Sequence, residues 1–94
     1  MTAKILRNCL ENYPSSALVR IDFDGKKIPL LTYKHKQPID TVGELQRDLE
    51  NYTDHFRLEF AQGGNLYHML RLEYHGVYVV IVAKPVGHVV EVAI

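Results

Sequence analysis

Two segments of the 94-residue chain space their apolar residues in the way that amphipathic helices do. The first predicts a helix over residues 3–13 that begins after Thr2, a favourable N-cap residue. Its apolar stripe consists of Leu6, Cys9, Leu10 and Tyr13. The second predicts a helix over residues 41–52 that is capped by Thr41 or by Asp40. Its apolar stripe consists of Val42, Leu45, Leu49 and Tyr52.

Between and after these helices, apolar and polar residues alternate as they do in β-strands. The predicted strands cover residues 17–23, 27–33, 56–61, 66–74, 77–84 and 88–94. Asp24-Gly25 predicts a type I′ turn between the first two strands, because both central positions of that turn need positive φ. Pro29 lacks an N–H group and therefore predicts that the second strand lies at a sheet edge or contains a bulge. His75-Gly76 and Pro85-Val86-Gly87 predict the turns before the last two strands.

These elements predict a single α+β domain over residues 1–94, in the order α-β-β-α-β-β-β-β. A chain of this length is large enough for one hydrophobic core. Each helix has one apolar stripe, so we expect two amphipathic helices to pack on one face of a mainly antiparallel sheet.

The chain contains an internal repeat of a helix followed by a strand. Residues 2–13 align with residues 41–52, since both segments begin with Thr and end with the run Leu-Glu-Asn-Tyr. The next strands, residues 19–23 and 56–60, align after a short gap. The approximate repeat units are therefore 2–38 and 41–65, followed by C-terminal strands in 66–94.

One five-residue pattern occurs in three of the predicted strands: an apolar residue, Arg, an apolar residue, an acid and an aromatic residue. It occupies residues 19–23, 56–60 and 70–74. In antiparallel neighbours this pattern would place each Arg opposite an acid, which contributes about 0.2–1 kcal/mol per pair. The pattern predicts a charged, solvent-facing outer surface, and the alternative interpretation is a polar binding surface for an extended ligand.

Composition narrows the classes of function and location. Lys and Arg total 11, as do Asp and Glu, so the net charge is zero with neutral histidines. This balance argues against a protein whose whole surface binds nucleic acid or membrane. The single cysteine cannot form an internal disulfide, and the sequence shows neither a secretory signal nor a membrane-spanning run. We therefore expect a cytoplasmic protein.

No group of residues has the spacing of an active site or a metal site. The five histidines are not paired at the short intervals that metal ligands need. Cys9 lies on the apolar stripe of the first helix, where a small buried hydrophobic residue is expected rather than a nucleophile. We therefore expect a non-enzymatic protein without a cofactor.

Residues 25–39 include four lysines and no acid. The candidate nucleic-acid-binding residues are Lys26, Lys27, Tyr33, Lys34 and Lys36. The lysines would contact phosphates, and the tyrosine would stack on a base. In the other interpretation, which the zero net charge favours, the lysines protect an edge strand against aggregation, as Pro29 does.

The C-terminal segments are strongly apolar. Residues 77–83 are apolar on both faces of their predicted strand, so both faces need cover. The last strand carries Glu91 as its charged residue and offers Val90, Val92 and Ile94 for self-association. These features favour a homodimer, formed by edge pairing or sheet packing, over a monomer with a central strand pair.

The run Thr41-Val42-Gly43-Glu44-Leu45, with Leu49 and a strand after a short loop, resembles a pattern found in small phage and prophage proteins. The resemblance includes the loops after both helices and leaves the C-terminal third of the chain unexplained. The first repeat departs from the pattern, with Lys4 and Ile5 where Gly43 and Glu44 stand. The resemblance implies a phage-encoded accessory protein that binds a host component, and it carries over no functional residues.

Taken together, these features predict a small binding protein that engages a protein partner through a sheet face or edge. Weak nucleic-acid binding by the lysine segment is the alternative hypothesis. A small-ligand pocket between the helices and the sheet is a third hypothesis, and no membrane partner is expected.

Overall fold

Two short helices pack on one face of a mainly antiparallel sheet in the computed structural model, which describes residues 1–32, 36–62 and 64–88. The helices are α1 (Ala3–Leu10) and α2 (Val42–Leu49). The strands, in chain order, are β1 (Leu18–Phe23), β2 (Lys26–Ile28), β3 (Leu30–Leu31), β4 (Pro38–Ile39), β5 (Phe60–Gln62), β6 (Asn65–His75) and β7 (Tyr78–His88). The predicted α+β class is confirmed.

The central strand of the five-stranded sheet is β7, in the order β2-β1-β7-β6-β5. β1 and β7 run parallel, paired from Leu18 with Tyr78 to Phe23 with Ala83, whereas the other strand pairs in this sheet are antiparallel. A parallel pair needs a long crossover connection, and here that connection contains α2 and the five strands β2 to β6. β3 and β4 form a separate two-stranded sheet.

Each helix begins at a threonine whose hydroxyl caps it. The Thr2 hydroxyl accepts a hydrogen bond from the N–H of Ile5 at 3.3 Å, and the Thr41 hydroxyl accepts one from the N–H of Glu44 at 3.2 Å. The Glu44 carboxylate in turn accepts a hydrogen bond from the N–H of Asp40 at 2.9 Å. Thr2 and Thr41 are therefore the N-caps, and the alternative in which Asp40 caps α2 is wrong.

Both helices end earlier than their apolar stripes predict, at Leu10 and Leu49 rather than at residues 13 and 52. The N–H groups just after each helix bond to carbonyls three residues back, as in the bond from Tyr52 to Leu49, and so tighten the chain into a turn. Within the described residues, no helix has the length and apolar character needed to cross a membrane.

The two similar segments of the chain share their capping contacts but differ in the structure of the residues after each helix. The Asn12 side-chain amide donates to the Cys9 carbonyl at 3.2 Å, and the Asn51 amide donates to the Asp48 carbonyl at 3.0 Å. α1 is followed by β1, close to the predicted position. The strand predicted at 56–61 is wrong for residues 56–59, because β5 begins only at Phe60.

Residues 56–58 pair with the N-terminus instead of the sheet. The N–H of Ala3 donates to the Phe56 carbonyl and the N–H of Leu58 donates to the Met1 carbonyl, both at 2.9 Å. The ladder of β5 with β6 covers only residues 60–62. A period-two pattern predicts an extended chain but does not identify its neighbour.

The core lies where both helices meet β1 and β7. The buried residues of the helices are Ala3, Leu6, Leu10, Val42, Leu45 and Leu49. All of them except Ala3 belong to one cluster with Val19, Ile21 and Phe23 of β1 and with Val79, Ile81 and Ala83 of β7. Cys9, which the stripe of α1 predicted to be buried, is only half-buried, because the buried face of the helix is centred on Leu6 and Leu10.

Both predicted tight turns are present. Asp24 and Gly25 have φ angles of 53° and 87°, as a type I′ turn requires, and the Asp22 carboxylate accepts the N–H of Gly25 at 2.7 Å. β2 lies at the edge of the sheet, as predicted, but the single strand predicted over residues 27–33 is wrong. The strand breaks at Pro29, and β3 belongs to the other sheet. Gly76, with a φ of 67°, lies in the turn between β6 and β7.

β7 is longer than the sequence pattern predicts. It continues through residues 85–87 to His88, so the turn predicted there is wrong. The ladder between β6 and β7 shifts its register beside Tyr67, which pairs with Pro85, and an irregular ladder can accommodate a proline without an N–H group. The rest of the predicted last strand, residues 89–94, lies outside the described residues.

Replacing Thr41 with Ala removes the hydroxyl that caps α2. We expect the free energy of unfolding, measured by urea denaturation, to fall by about 0.5–2 kcal/mol. Thr41→Ser keeps the hydroxyl and is the matched control, expected to stay within about 0.5 kcal/mol of the wild type. Equal stability of Thr41→Ala and the wild type would contradict the capping role.

Candidate interaction surface

The face of the sheet opposite the helices, which we call the outer face, combines charged and apolar rows. Its central residues are Arg20 and Asp22 of β1, Val80 and Val82 of β7, and Arg71, Glu73 and His75 of β6. Arg20 and Glu73 both pair with Val80, one on each side. The apolar row of β7 therefore runs between a charged row on β1 and another on β6.

The charged rows cover the apolar row. Val80 is only 1% exposed, although it lies on the opposite face from the helix-side core. The longer side chains of Arg20 and Glu73 flank it in the register. The Arg20 guanidinium also lies 5.7 Å from the centroid of the Tyr78 ring, within the range of a cation–π contact. The outer face is therefore charged at its surface, as the Arg–acid pattern of β1 and β6 predicts.

The charges on the outer face are paired differently from the prediction. Because β7 separates β1 from β6, these two strands are not neighbours, and the Arg–acid pairs expected between antiparallel neighbours do not form between them. Glu73 instead accepts a hydrogen bond from Arg71 Nε of its own strand at 2.5 Å, and it lies 2.8 Å from His75 Nε2. Asp22 lies 3.9 Å from Lys27 on β2.

Glu73 is the acidic centre of the β6 row. Hydrogen bonding with His75, and then with Arg71, lowers the pKa of the Glu73 carboxyl below its ordinary value, because both contacts favour the charged form. The row therefore presents a carboxylate between two basic side chains.

Only part of β6 has a strand on each side. β5 pairs with residues 65–67, whereas β7 pairs along the strand from Asn65 to His75. Over residues 70–75, which we call the open edge, β7 is the only neighbouring strand in the described part of the chain. The backbone N–H and C=O groups on the other side of the open edge can pair with a further strand.

The open edge exposes apolar side chains as well as backbone groups. Leu70 and Tyr74 are 55% and 47% exposed. Leu70 is the extra residue of a bulge, because the register with β7 shifts between Met69 and Arg71. The ring of Tyr74 lies 5.5 Å from that of Tyr13, just beyond α1. The regular part of the open edge is therefore residues 71–75, and it has an aromatic pair at its helix side.

The residues of the open edge are not among the site residues predicted from the sequence. The available signal was the Leu-Arg-Leu-Glu-Tyr pattern at residues 70–74, which places Arg71 and Glu73 on one charged face. Their position at an edge depends on the order of the strands, and the pattern does not contain that order.

The two described lysines of β2 do not share a surface. Lys26 and Lys27 are consecutive in the strand, so their side chains point to opposite faces. Lys27 lies beside Asp22 on the outer face, whereas Lys26 pairs with Phe23, whose side chain belongs to the core. A single phosphate-binding surface would need both lysines on one side.

The other residues of the predicted sites are more scattered. Lys36 has a φ of 52° and lines a cavity on the helix side of the sheet. The predicted site residues that lie outside the described part of the chain are Tyr33, Lys34, Val90, Val92 and Ile94. Their roles in nucleic-acid binding and self-association stay predictions.

The cavity beside Lys36 has a volume of about 530 Å³ and is mainly apolar. Its apolar lining includes Phe23, Ile28, Leu49, Tyr52 and Phe60. Its polar lining includes Lys36, Asp48 and Glu59. This is the place that the small-ligand hypothesis requires, but charges of both signs line it and indicate no particular class of ligand.

Tyr67 joins the β1–β2 hairpin to β6. Its hydroxyl donates a hydrogen bond to the Asp24 carboxylate at 3.2 Å, and its ring packs edge-on against Phe23 with centroids 4.5 Å apart. Burial, and then the negative charge of Asp24, raise the pKa of the Tyr67 hydroxyl, so the phenol stays a protonated donor at neutral pH.

The chain matches no protein-family model, no curated protein and no solved structure. The resemblance to small phage and prophage proteins therefore stays a prediction. The function must be inferred from the geometry of the chain itself.

Replacing Tyr67 with Phe removes the hydrogen bond to Asp24 and keeps the packing of the ring. We expect the free energy of unfolding to fall by about 0.5–1.5 kcal/mol, measured by urea denaturation at pH 7. Tyr74→Phe, at an exposed position, is the matched control and should differ from the wild type by less than about 0.5 kcal/mol. Equal losses in the two variants would contradict a specific role for the Tyr67 hydroxyl.

Glu73 predicts a dependence of stability on pH. Its pKa is lower in the folded protein than the ordinary value of 4.5, so its contribution to stability is present above that value and is lost as the pH falls through the folded pKa. We expect the stability advantage of the wild type over Glu73→Gln to shrink on acidification, measured by urea denaturation from pH 7 to pH 3. The effect of Thr41→Ala is the control and should stay constant over this range, because neither the Thr41 hydroxyl nor the backbone N–H that it caps titrates. An advantage over Glu73→Gln that does not change with pH would exclude this role for the carboxyl.

Proposed function

We propose that the chain is a non-enzymatic protein-interaction module that binds a protein partner by strand addition at the open edge. The observation that carries this proposal is the set of backbone groups at residues 70–75 that face away from β7 and have no strand neighbour in the described part of the chain. An extended segment of a partner would satisfy these groups, as in other cases of β-augmentation.

The side chains of the open edge favour a polypeptide as the partner. Arg71 and Glu73 give it one charge of each sign, which suits a segment of mixed charge better than a uniformly anionic phosphate backbone. Leu70 and Tyr74 supply exposed apolar surface that a partner's side chains would bury.

The edge has better support as the binding surface than the outer face. At the centre of the outer face a partner would bury little new apolar area, because Val80 is already 1% exposed. Tyr78, on the same face and 38% exposed, already faces the Arg20 guanidinium. Leu70, at the open edge, is 55% exposed and still has most of that area to lose. The hydrophobic term, about 25 cal/mol per Å² of apolar surface buried, therefore favours the edge.

The nucleic-acid alternative has weaker support. Lys26 and Lys27 point to opposite faces of β2, and Lys27 lies beside Asp22, which offsets its charge. No single described surface collects the cations that counterion release from a nucleic acid would require.

Leu70→Glu places a negative charge at the open edge and should weaken strand addition. We expect a tagged wild-type protein to capture a partner protein from lysate of its source organism in the presence of nuclease, and Leu70→Glu to capture at least about tenfold less. Tenfold corresponds to about 1.4 kcal/mol of binding free energy. The measurement is quantitative mass spectrometry of the captured proteins.

Val77→Glu is the matched control, because Val77 is 63% exposed in the turn of the same hairpin and lies outside the open edge. We expect it to capture the partner as the wild type does. Equal capture by Leu70→Glu would place binding elsewhere on the molecule. Capture that disappears with nuclease would instead support the lysine alternative.

A further inference from the structure

We infer that the strand added at the open edge is the same strand of a second copy of this chain, paired antiparallel about a two-fold axis at Leu72. This inference rests on the proposed function, because it names the partner of the open edge. It differs from the self-association predicted for the C-terminal segment, since it uses residues 70–75.

The charges of β6 are self-complementary in this register. A two-fold axis at Leu72 places Arg71 of each copy opposite Glu73 of the other, so the interface contains the same attractive pair twice. The axis also places Leu70 opposite Tyr74, two side chains that are about half exposed in the single chain. Opposite charges and apolar contacts between facing residues both stabilise an antiparallel pair.

Neighbouring registers are less favourable. An axis at Arg71 places that residue opposite its own copy, and an axis at Glu73 does the same for the carboxylate. Like charges directly opposite one another are destabilising. An axis at Tyr74 would pair Glu73 with His75, but the strand ends at His75 and leaves almost no ladder on that side. Leu72 is therefore the favoured centre.

The geometry of the faces is consistent with a continuous sheet. Arg71 and Glu73 pair with Val82 and Val80, so both lie on the outer face. An axis perpendicular to the sheet keeps the outer faces of the two copies on one side, and it keeps both helix layers on the other side. The charge pairs between copies therefore form on one face without reversing either sheet.

Glu73 already has partners in its own chain, and the dimer would extend them. Its carboxylate accepts a hydrogen bond from Arg71 of the same strand, and each carboxylate oxygen can accept more than one hydrogen bond. Two arginines and two glutamates would alternate around the axis as a network. A network of charges stabilises more reliably than an isolated surface pair.

The bulge at Leu70 limits the length of the shared ladder. About an axis at Leu72, regular pairing covers residues 71–73 of both copies, because Tyr74 faces Leu70, at the bulge that bends the strand. A short ladder with two charge pairs predicts a reversible dimer rather than an obligate one.

Charge exchange tests the register. By light scattering on a sizing column, at about 10 μM to 1 mM, we expect the wild-type mass to rise from 10.8 kDa toward twice that value. Arg71→Glu and Glu73→Arg should each stay monomeric over this range, because each places like charges opposite one another twice. The double variant R71E/E73R should restore the dimer. Lys26→Glu, a charge reversal on the other edge of the sheet, should dimerise like the wild type.

Cross-linking tests the same register in variants that keep one attractive pair. In a Cys9→Ala background, a mixture of Arg71→Cys and Glu73→Cys copies should form a covalent dimer on mild oxidation. Neither variant alone should do so, because the inferred register does not place either residue opposite itself. Far-UV circular dichroism and thermal melting of every variant establish that it is folded before its mass is interpreted.

Several results would overturn the inference. They are a wild type that stays monomeric over the whole range, a folded single-charge variant that still dimerises, or a folded double variant that stays monomeric. More cross-linking of Arg71→Cys alone than of the mixture would also overturn it. A monomeric wild type whose capture of another protein is lost in Leu70→Glu would refute self-pairing and leave the proposed function standing. A dimer with the predicted charge dependence supports both.

Discussion

The parallel pairing of β1 with β7 is the contact on which the rest of the structure depends. It joins the hairpin of β1 and β2 to the hairpin of β6 and β7, and an isolated two-stranded hairpin is marginally stable at best. It also places Val19 beside Val79 and Ile21 beside Ile81, so that both helices meet one continuous apolar surface. The two helices can share a core only because this pairing is made.

The same pairing determines the character of the outer face and of the open edge. With β7 between them, the charged rows of β1 and β6 cannot neutralise one another, so Glu73 is paired with Arg71 and His75 of its own strand. β6 lies next to the edge of the sheet, and its outer neighbour, β5, pairs only with residues 65–67. The surface proposed to bind a partner is thus a consequence of strand order and of the shortness of β5.

Local features of the fold could be predicted because a few neighbouring residues decide them. Thr2 and Thr41 cap their helices by accepting hydrogen bonds from N–H groups three residues away. Asp24 and Gly25 form the predicted type I′ turn, because Asp and Gly both tolerate the positive φ angles that this turn requires. Predictions failed where a distant segment competed. Residues 56–58 pair with the N-terminus, and β6 holds residues 85–87 in a strand where a turn was predicted. Neither of these pairings with a distant segment can be recognised from the sequence of a few neighbouring residues.

By itself, the sequence determined the two amphipathic helices, the tight hairpins and the alternation that puts Arg71 and Glu73 on one face of β6. These depend on side-chain periodicity, capping chemistry and the φ preferences of a few residues. Only the tertiary structure decided that β1 and β7 run parallel, that residues 56–58 pair with the N-terminus, and that residues 70–75 form an edge of the described sheet. Those outcomes depend on which distant strands satisfy one another's backbone groups, and hydrophobic burial across the whole core selects that pairing.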